Sequence, residues 1–104
     1  MRVIEQSMNN AITTSKDWSC SNTKVVNKDG VSLVYLFDNL IAEIGDTFIK
    51  MYDGGHKTNT TKSRLNAILQ AHGNPGDKVY QKNGDWFIHT DGLDFLFKNG
   101  WVLA

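Results

Sequence analysis

Three Gly-containing pairs, Asp29-Gly30, Asn83-Gly84 and Asn99-Gly100, each sit between short runs rich in β-branched and aromatic residues. Such a pair accepts positive φ at little steric cost and is a strong short-range signal for a two-residue β-hairpin turn. A chain punctuated this way has no room for long crossovers, so its strands must pair antiparallel. Val25–Lys28 and Val31–Phe37 flank the first turn, and Leu40–Ile44 and Thr47–Tyr52 extend the run into a meander through Asp38-Asn39 and Gly45-Asp46. Lys78–Lys82 with Asp85–His89, and Phe95–Lys98 with Trp101–Leu103, read as two further hairpins.

Between these groups lies one convincing helix. Leu65, Ile68, Leu69 and His72 recur at helical spacing, Thr60 or Thr61 caps the start, and Gly73 and Pro75 stop it. A helix from about Thr61 to His72 is marginal alone, so its apolar stripe must dock on the sheet. The expected fold is therefore α+β: an antiparallel meander packed on one central helix, followed by further β-hairpins. With 104 residues there is one domain, assigned to residues 23–104. Residues 1–22 are expected to be weakly structured or briefly helical, because Asn9-Asn10 and Thr13-Thr14-Ser15 are poor helix formers.

The alternation of apolar residues assigns faces. Counting from the turns, Leu33, Tyr35, Phe37, Leu40, Ala42, Ile44, Ile49 and Met51 share one face of the meander. Val34, Leu36, Ile41 and Phe48 lie on the other, diluted by Glu43 and Lys50. A solvated face should be polar, so this half-apolar second face is expected to be covered by the C-terminal strands or by a second subunit.

Eleven basic residues balance eleven acidic ones, which argues against a general polyanion binder. A lone Cys20 provides no disulfide framework, and the polar residues after Met1 do not form a secretory leader, so a cytosolic setting is expected. His56, His72 and His89 lie on separate elements. Only His89, Asp91 and Asp94 are near enough in sequence to suggest a metal, without cysteine support, and no metal or cofactor is expected. Nothing near Cys20 supplies an activating base, so the chain is read as a non-enzyme.

Two groups of residues remain as candidate sites. Between Asp53 and Asp77 no acid occurs, and Lys57, Thr60, Thr61, Lys62 and Arg64 gather at the helix start. Cations and hydroxyls beside free backbone N–H groups suit an anion or an acidic partner surface. The plainer reading is that Lys62 and Arg64 point to water or pair with Asp46 or Asp53. Residues 56–82 hold five basic and one acidic residue against two and five in 27–53, so the surface can be dipolar and orient a protein partner. The second group is Lys78, Tyr80, Lys82 and Phe87, which the Asn83-Gly84 turn places on one face with His89. Its cationic and aromatic mix suits unpaired bases, while the plainer and preferred reading is core packing under lysine stems.

Several runs carry a resemblance: Ser21-Asn22-Thr23 with Val25, Asn39-Leu40-Ile41-Ala42, Thr60-Thr61-Lys62-Ser63-Arg64-Leu65-Asn66-Ala67-Ile68-Leu69, and Val79-Tyr80-Gln81-Lys82 with Trp86-Phe87. Together the chain resembles a family of small proteins encoded by tailed bacteriophages, from about residue 8 onward. One departure is Phe37-Asp38-Asn39, where the family pattern has His-Gly-Asn. The resemblance implies a context more than an activity: a phage accessory protein acting in the host cytoplasm. It implies binding that inhibits or redirects a host protein, as in counter-defence of the anti-CRISPR kind. The alternative is a nucleic-acid or nucleotide-binding module built on the basic helix start, and homo-oligomerisation through the second sheet face is a further expectation.

Overall fold

The computed structural model describes residues 1–104. At Asp29-Gly30 the φ angles are 53° and 79°, and at Asn83-Gly84 they are 53° and 83°. Positive φ at both central positions is the type I′ geometry whose twist suits a tight hairpin. Those turns join β2 (Thr23–Lys28) to β3 (Val31–Leu36) and β6 (Lys78–Lys82) to β7 (Asp85–Thr90), all antiparallel. The α+β class is as read: helices α1 (Val3–Thr14) and α2 (Asn59–His72) accompany two antiparallel sheets. The larger sheet has six strands in the order β1-β2-β3-β4-β5-β9, with β1 (Trp18–Cys20), β4 (Asn39–Ile44), β5 (Ile49–Met51) and β9 (Trp101–Leu103). The smaller has three, β6-β7-β8, with β8 at Leu93–Leu96.

The third expected hairpin is not formed. β8 pairs with β7 through Asp91-Gly92, whose φ angles are 55° and 73°, and β9 crosses to the other sheet to pair with β5. At Asn99-Gly100 only the glycine has positive φ, 82°, and Trp101 N–H bonds the Lys98 carbonyl at 3.1 Å. That combination is a type II turn, which redirects the chain instead of folding it back on itself.

A bulge revises the faces. Tyr35 pairs with Leu40, but the next pair is Val34 with Ala42, so Ile41 is an extra residue in β4. Past that point the register is shifted by one, and one residue of slip exchanges faces. Ala42, Ile44, Ile49 and Met51 do share the core face, as expected. On β3, Val34 pairs with Ala42 and Ser32 with Ile44, and both are buried with Leu36 on that face, while Leu33 and Tyr35 turn outward and Phe37 leaves the strand.

That outward face is not covered by the C-terminal strands, because β9 adds to the sheet edge. Lysine stems shield its rings instead: Lys24 Nζ lies 4.9 Å from the Tyr35 centroid and Lys50 Nζ 5.8 Å from that of Tyr52.

The helices cover the inner face. α1 is a regular 12-residue helix, beyond what its composition suggests. It buries Glu5, Met8, Asn9 and Ile12, spaced three and four apart, so two polar residues occupy the stripe. α1 and β1 thus belong to the fold, with Met8, Ala11 and Ile12 in its core, and the 22/23 boundary falls inside the β1–β2 hairpin. α2 starts at Asn59, two residues early, with Thr58 as its cap accepting from Thr61 N–H at 3.1 Å. Its Leu65, Ile68 and Leu69 are buried beside Trp86 and Ile88 of β7 in one continuous core. Asn66 fastens α2 to β6: its amide donates to the Val79 carbonyl at 2.8 Å and accepts from Val79 N–H at 2.7 Å.

Candidate functional site

The basic run at the start of α2 divides when its side chains are placed. Arg64 is 3% exposed and faces inward. Its Nη1 meets Glu5 Oε2 at 2.8 Å, its Nε donates to Thr23 Oγ1 at 3.0 Å, and its Nη2 donates to Asn22 Oδ1 at 3.2 Å. Ser63 Oγ adds a 2.6 Å bond to the same Glu5 oxygen. Burial alone would raise the Glu5 carboxyl. Hydrogen bonds from Ser63, the Arg2 backbone and Arg64, with the guanidinium charge, outweigh it and hold Glu5 below the usual carboxylate range. Arg64 is therefore consumed by the fold, and its partner is neither Asp46 nor Asp53. Thr61, also 3% exposed, is likewise withdrawn, its Oγ1 3.0 Å from that of Thr58. Lys62 donates to Gln81 Oε1 at 3.0 Å. Of the five residues, Lys57 and Thr60 remain open to an incoming group.

Beside them lies a feature that strand patterning did not single out. Leu36 pairs with Asn39, so Phe37 and Asp38 form the β3–β4 turn, with φ angles of 50° and 63°. This is the region glycine favours, and a bulky aromatic there is strained. Strain persists where surroundings over-determine it. Phe37 N–H bonds the Asn22 carbonyl at 2.8 Å, and the Asn22 side chain is held by Arg64. The buried ion pair thus supports the turn from below. The Phe37 ring itself is 68% exposed and borders a groove of about 390 Å³, shared with Ile41, Asp53, His56, Thr58 and Thr60. The signal available in sequence was the departure from His-Gly-Asn: a residue pair unsuited to a tight turn, kept where a tight turn is needed.

The second predicted group is brought together on the open face of the small sheet. Tyr80 pairs with Phe87 and Lys78 with His89. The Tyr80 and Phe87 rings stack with centroids 5.6 Å apart, and Lys78 Nζ lies 5.7 Å from the Tyr80 centroid. Trp86 points the other way, fully buried and edge-on to Phe97 at 5.7 Å. Asp94 adds an acid to this face, accepting from Tyr80 Oη at 2.8 Å with His89 Nδ1 3.0 Å away. The hydrogen bond to Tyr80 raises that phenol and lowers the Asp94 carboxyl, His89 adding to the latter. Asp91 does not join them, and no three His, Cys, Asp or Glu side chains gather where a metal ion could sit. Cys20 is free and exposed.

These observations define a small α+β domain whose polar clusters serve folding, while aromatic and apolar side chains stand out at a turn and on the small sheet. The chain belongs to the Kyanoviridae Gp96 protein family of bacteriophages, whose model matches residues 1–104. No curated protein and no solved structure matches it. No helix is long and apolar enough to cross a membrane.

Proposed function

We propose that this phage protein is a non-enzymatic accessory factor that binds a bacterial host protein in the host cytoplasm and inhibits or redirects it. Counter-defence, with an anti-CRISPR activity as one form, is the specific role put forward. The observation that carries the reading is Phe37, an aromatic ring held mostly in solvent by a strained turn beside a groove. Aromatic anchors at the centre of a rigid patch supply most of the energy in many protein interfaces. A ring fixed before binding loses little conformational freedom when it docks. Lys57 and Thr60 at the rim then give polar contacts and orientation.

Tagged protein incubated with host lysate tests this. The expected result is a stoichiometric partner that the wild type retains and Phe37→Asn/Asp38→Gly loses, with unchanged circular dichroism. Retention of the same partner by the folded variant would remove Phe37 from the interface.

A second reading, nucleic-acid binding, is favoured by the half-buried Tyr80–Phe87 stack with exposed Lys78 and Lys82 beside it. Asp94 on the same face weighs against phosphate. That reading predicts binding to single-stranded DNA or RNA that weakens with salt and with Lys78→Ala/Lys82→Ala. No binding at low salt would end it.

A further inference from the structure

We infer that two copies of this chain pair through their β8 edges, antiparallel and about a two-fold axis at Leu96. β8 is an edge strand whose four residues are all exposed, with Leu93 at 58%, Phe95 at 38% and Leu96 at 51%. Phe97 N–H bonds the Trp86 carbonyl at 2.9 Å, so in an antiparallel ladder the backbone groups of Phe95 and Leu93 also face β7. Those of Asp94 and Leu96 then face outward, and no other part of the chain meets them. An unpaired apolar edge of this kind is a template for another strand. The opposite edge of the same sheet is closed, because Asn66 occupies both backbone groups of Val79.

The segment itself says which strand fits. Asp94-Phe95-Leu96-Phe97-Lys98 is complementary to itself when reversed. With the axis at Leu96, the two leucines face each other and exchange backbone hydrogen bonds. Phe95 falls opposite the backbone of the second copy's Phe97, whose own ring stays buried against Trp86, and Asp94 falls opposite Lys98 of the second copy, twice by symmetry. Opposite charges and paired apolar groups are the cross-strand combinations that stabilise a ladder, and a two-fold axis requires a self-complementary patch. A balanced formal charge sets no repulsion against self-association. The two small sheets would merge into one of six strands, doubling the Tyr80/Phe87 face. The contact lies on this edge and not on the outer face of the large sheet, which carries Lys24, Glu43 and Lys50.

Sedimentation equilibrium across roughly micromolar to millimolar concentration reads the dimer directly. The wild type is expected to approach twice the monomer mass, while Lys98→Asp, which sets Asp against Asp twice, weakens association about tenfold or more. The exchanged variant Asp94→Lys/Lys98→Asp restores it to within about threefold, since the pairing is preserved with its signs reversed. Both side chains are exposed, and Asp94→Lys gives up only the surface bonds to Tyr80 and His89 while the β6–β7–β8 backbone ladder stays paired, which circular dichroism verifies. Amide hydrogen exchange supplies a measurement without variants: protection at Asp94 and Leu96 should rise with protein concentration. A wild type that stays monomeric throughout overturns the inference, as does an undiminished dimer in Lys98→Asp or no recovery in the exchanged variant. Host binding through Phe37 uses a different turn, so either idea can fail alone.

Discussion

Arg64 and Phe37 are joined through Asn22, yet they use that connection in opposite ways. Arg64 carries the charge that marks the helix start as a binding motif, and it is buried with every donor group directed inward. Phe37 carries the apolar surface that patterning would send to the core, and it stands in solvent. The buried residue makes the exposed one tenable, because the network that satisfies Arg64 also positions the backbone carbonyl that holds the turn. A charge at a basic helix start is therefore weak grounds for a ligand until its burial is known. A large apolar residue at positive φ is stronger grounds, since folding alone gives no reason to keep it.

The sharpest way to break this contrast is to remove the buried charge. Arg64→Met leaves Glu5 unpaired in the interior and is expected to cost roughly 3–5 kcal/mol in chemical denaturation. Glu5→Leu/Arg64→Met together should cost much less than the sum of the single changes, because no uncompensated charge remains. A near-neutral Arg64→Met would show that the pair is not the support described.

Acid titration sharpens the same point. Glu5 has a lowered pKa in the folded state, so the stability it contributes is present above its ordinary value of 4.5 and is lost as pH falls through the lower folded value. Unfolding scans should show wild-type stability declining below about pH 4.5, and Glu5→Gln, already weakened, should decline less steeply.

On the exposed side the sign reverses. Phe37→Asn/Asp38→Gly installs the pair that type I′ turns favour and should raise stability by about 1–2 kcal/mol while abolishing partner capture. A loss of stability would mean that the ring makes intramolecular contacts worth more than the strain.

The smallest effect concerns His72, whose pKa is lowered by burial and whose Nε2 has no partner. Its unfolded form takes up a proton below about 6.5 before the folded form does, so stability should slip as pH falls past that value. His72→Phe should flatten that part of the profile.

Much of the fold was legible because its turns are chemically explicit. Asp29-Gly30 and Asn83-Gly84 require positive φ and obtain it, and the Lys78/Tyr80/Lys82/Phe87 face follows from the second turn. Asp91-Gly92 carries the same signal and was overshadowed by Asn99-Gly100, where adjacent strand-like runs suggested a hairpin that sheet switching replaces. The Ile41 bulge has no local marker, because an extra Ile reads as one more strand residue, and it alone exchanged Leu33 and Tyr35 with Val34 and Leu36. α1 was obscured by Glu5 and Asn9, polar residues that are buried only because Arg64 and the Ala67 carbonyl receive them. Long-range partners of that kind cannot be read from a local pattern. For the same reason, withdrawal of Thr61 and Arg64 from the candidate site required the fold.

Whether the strained turn is the binding surface can be measured directly. Partner capture by Phe37→Asn/Asp38→Gly, measured beside wild type and Lys57→Ala with folding monitored by circular dichroism, decides it. The prediction is loss of capture in the turn variant, partial weakening in Lys57→Ala, and a higher midpoint of unfolding for the turn variant. Full capture by a folded turn variant would contradict the account.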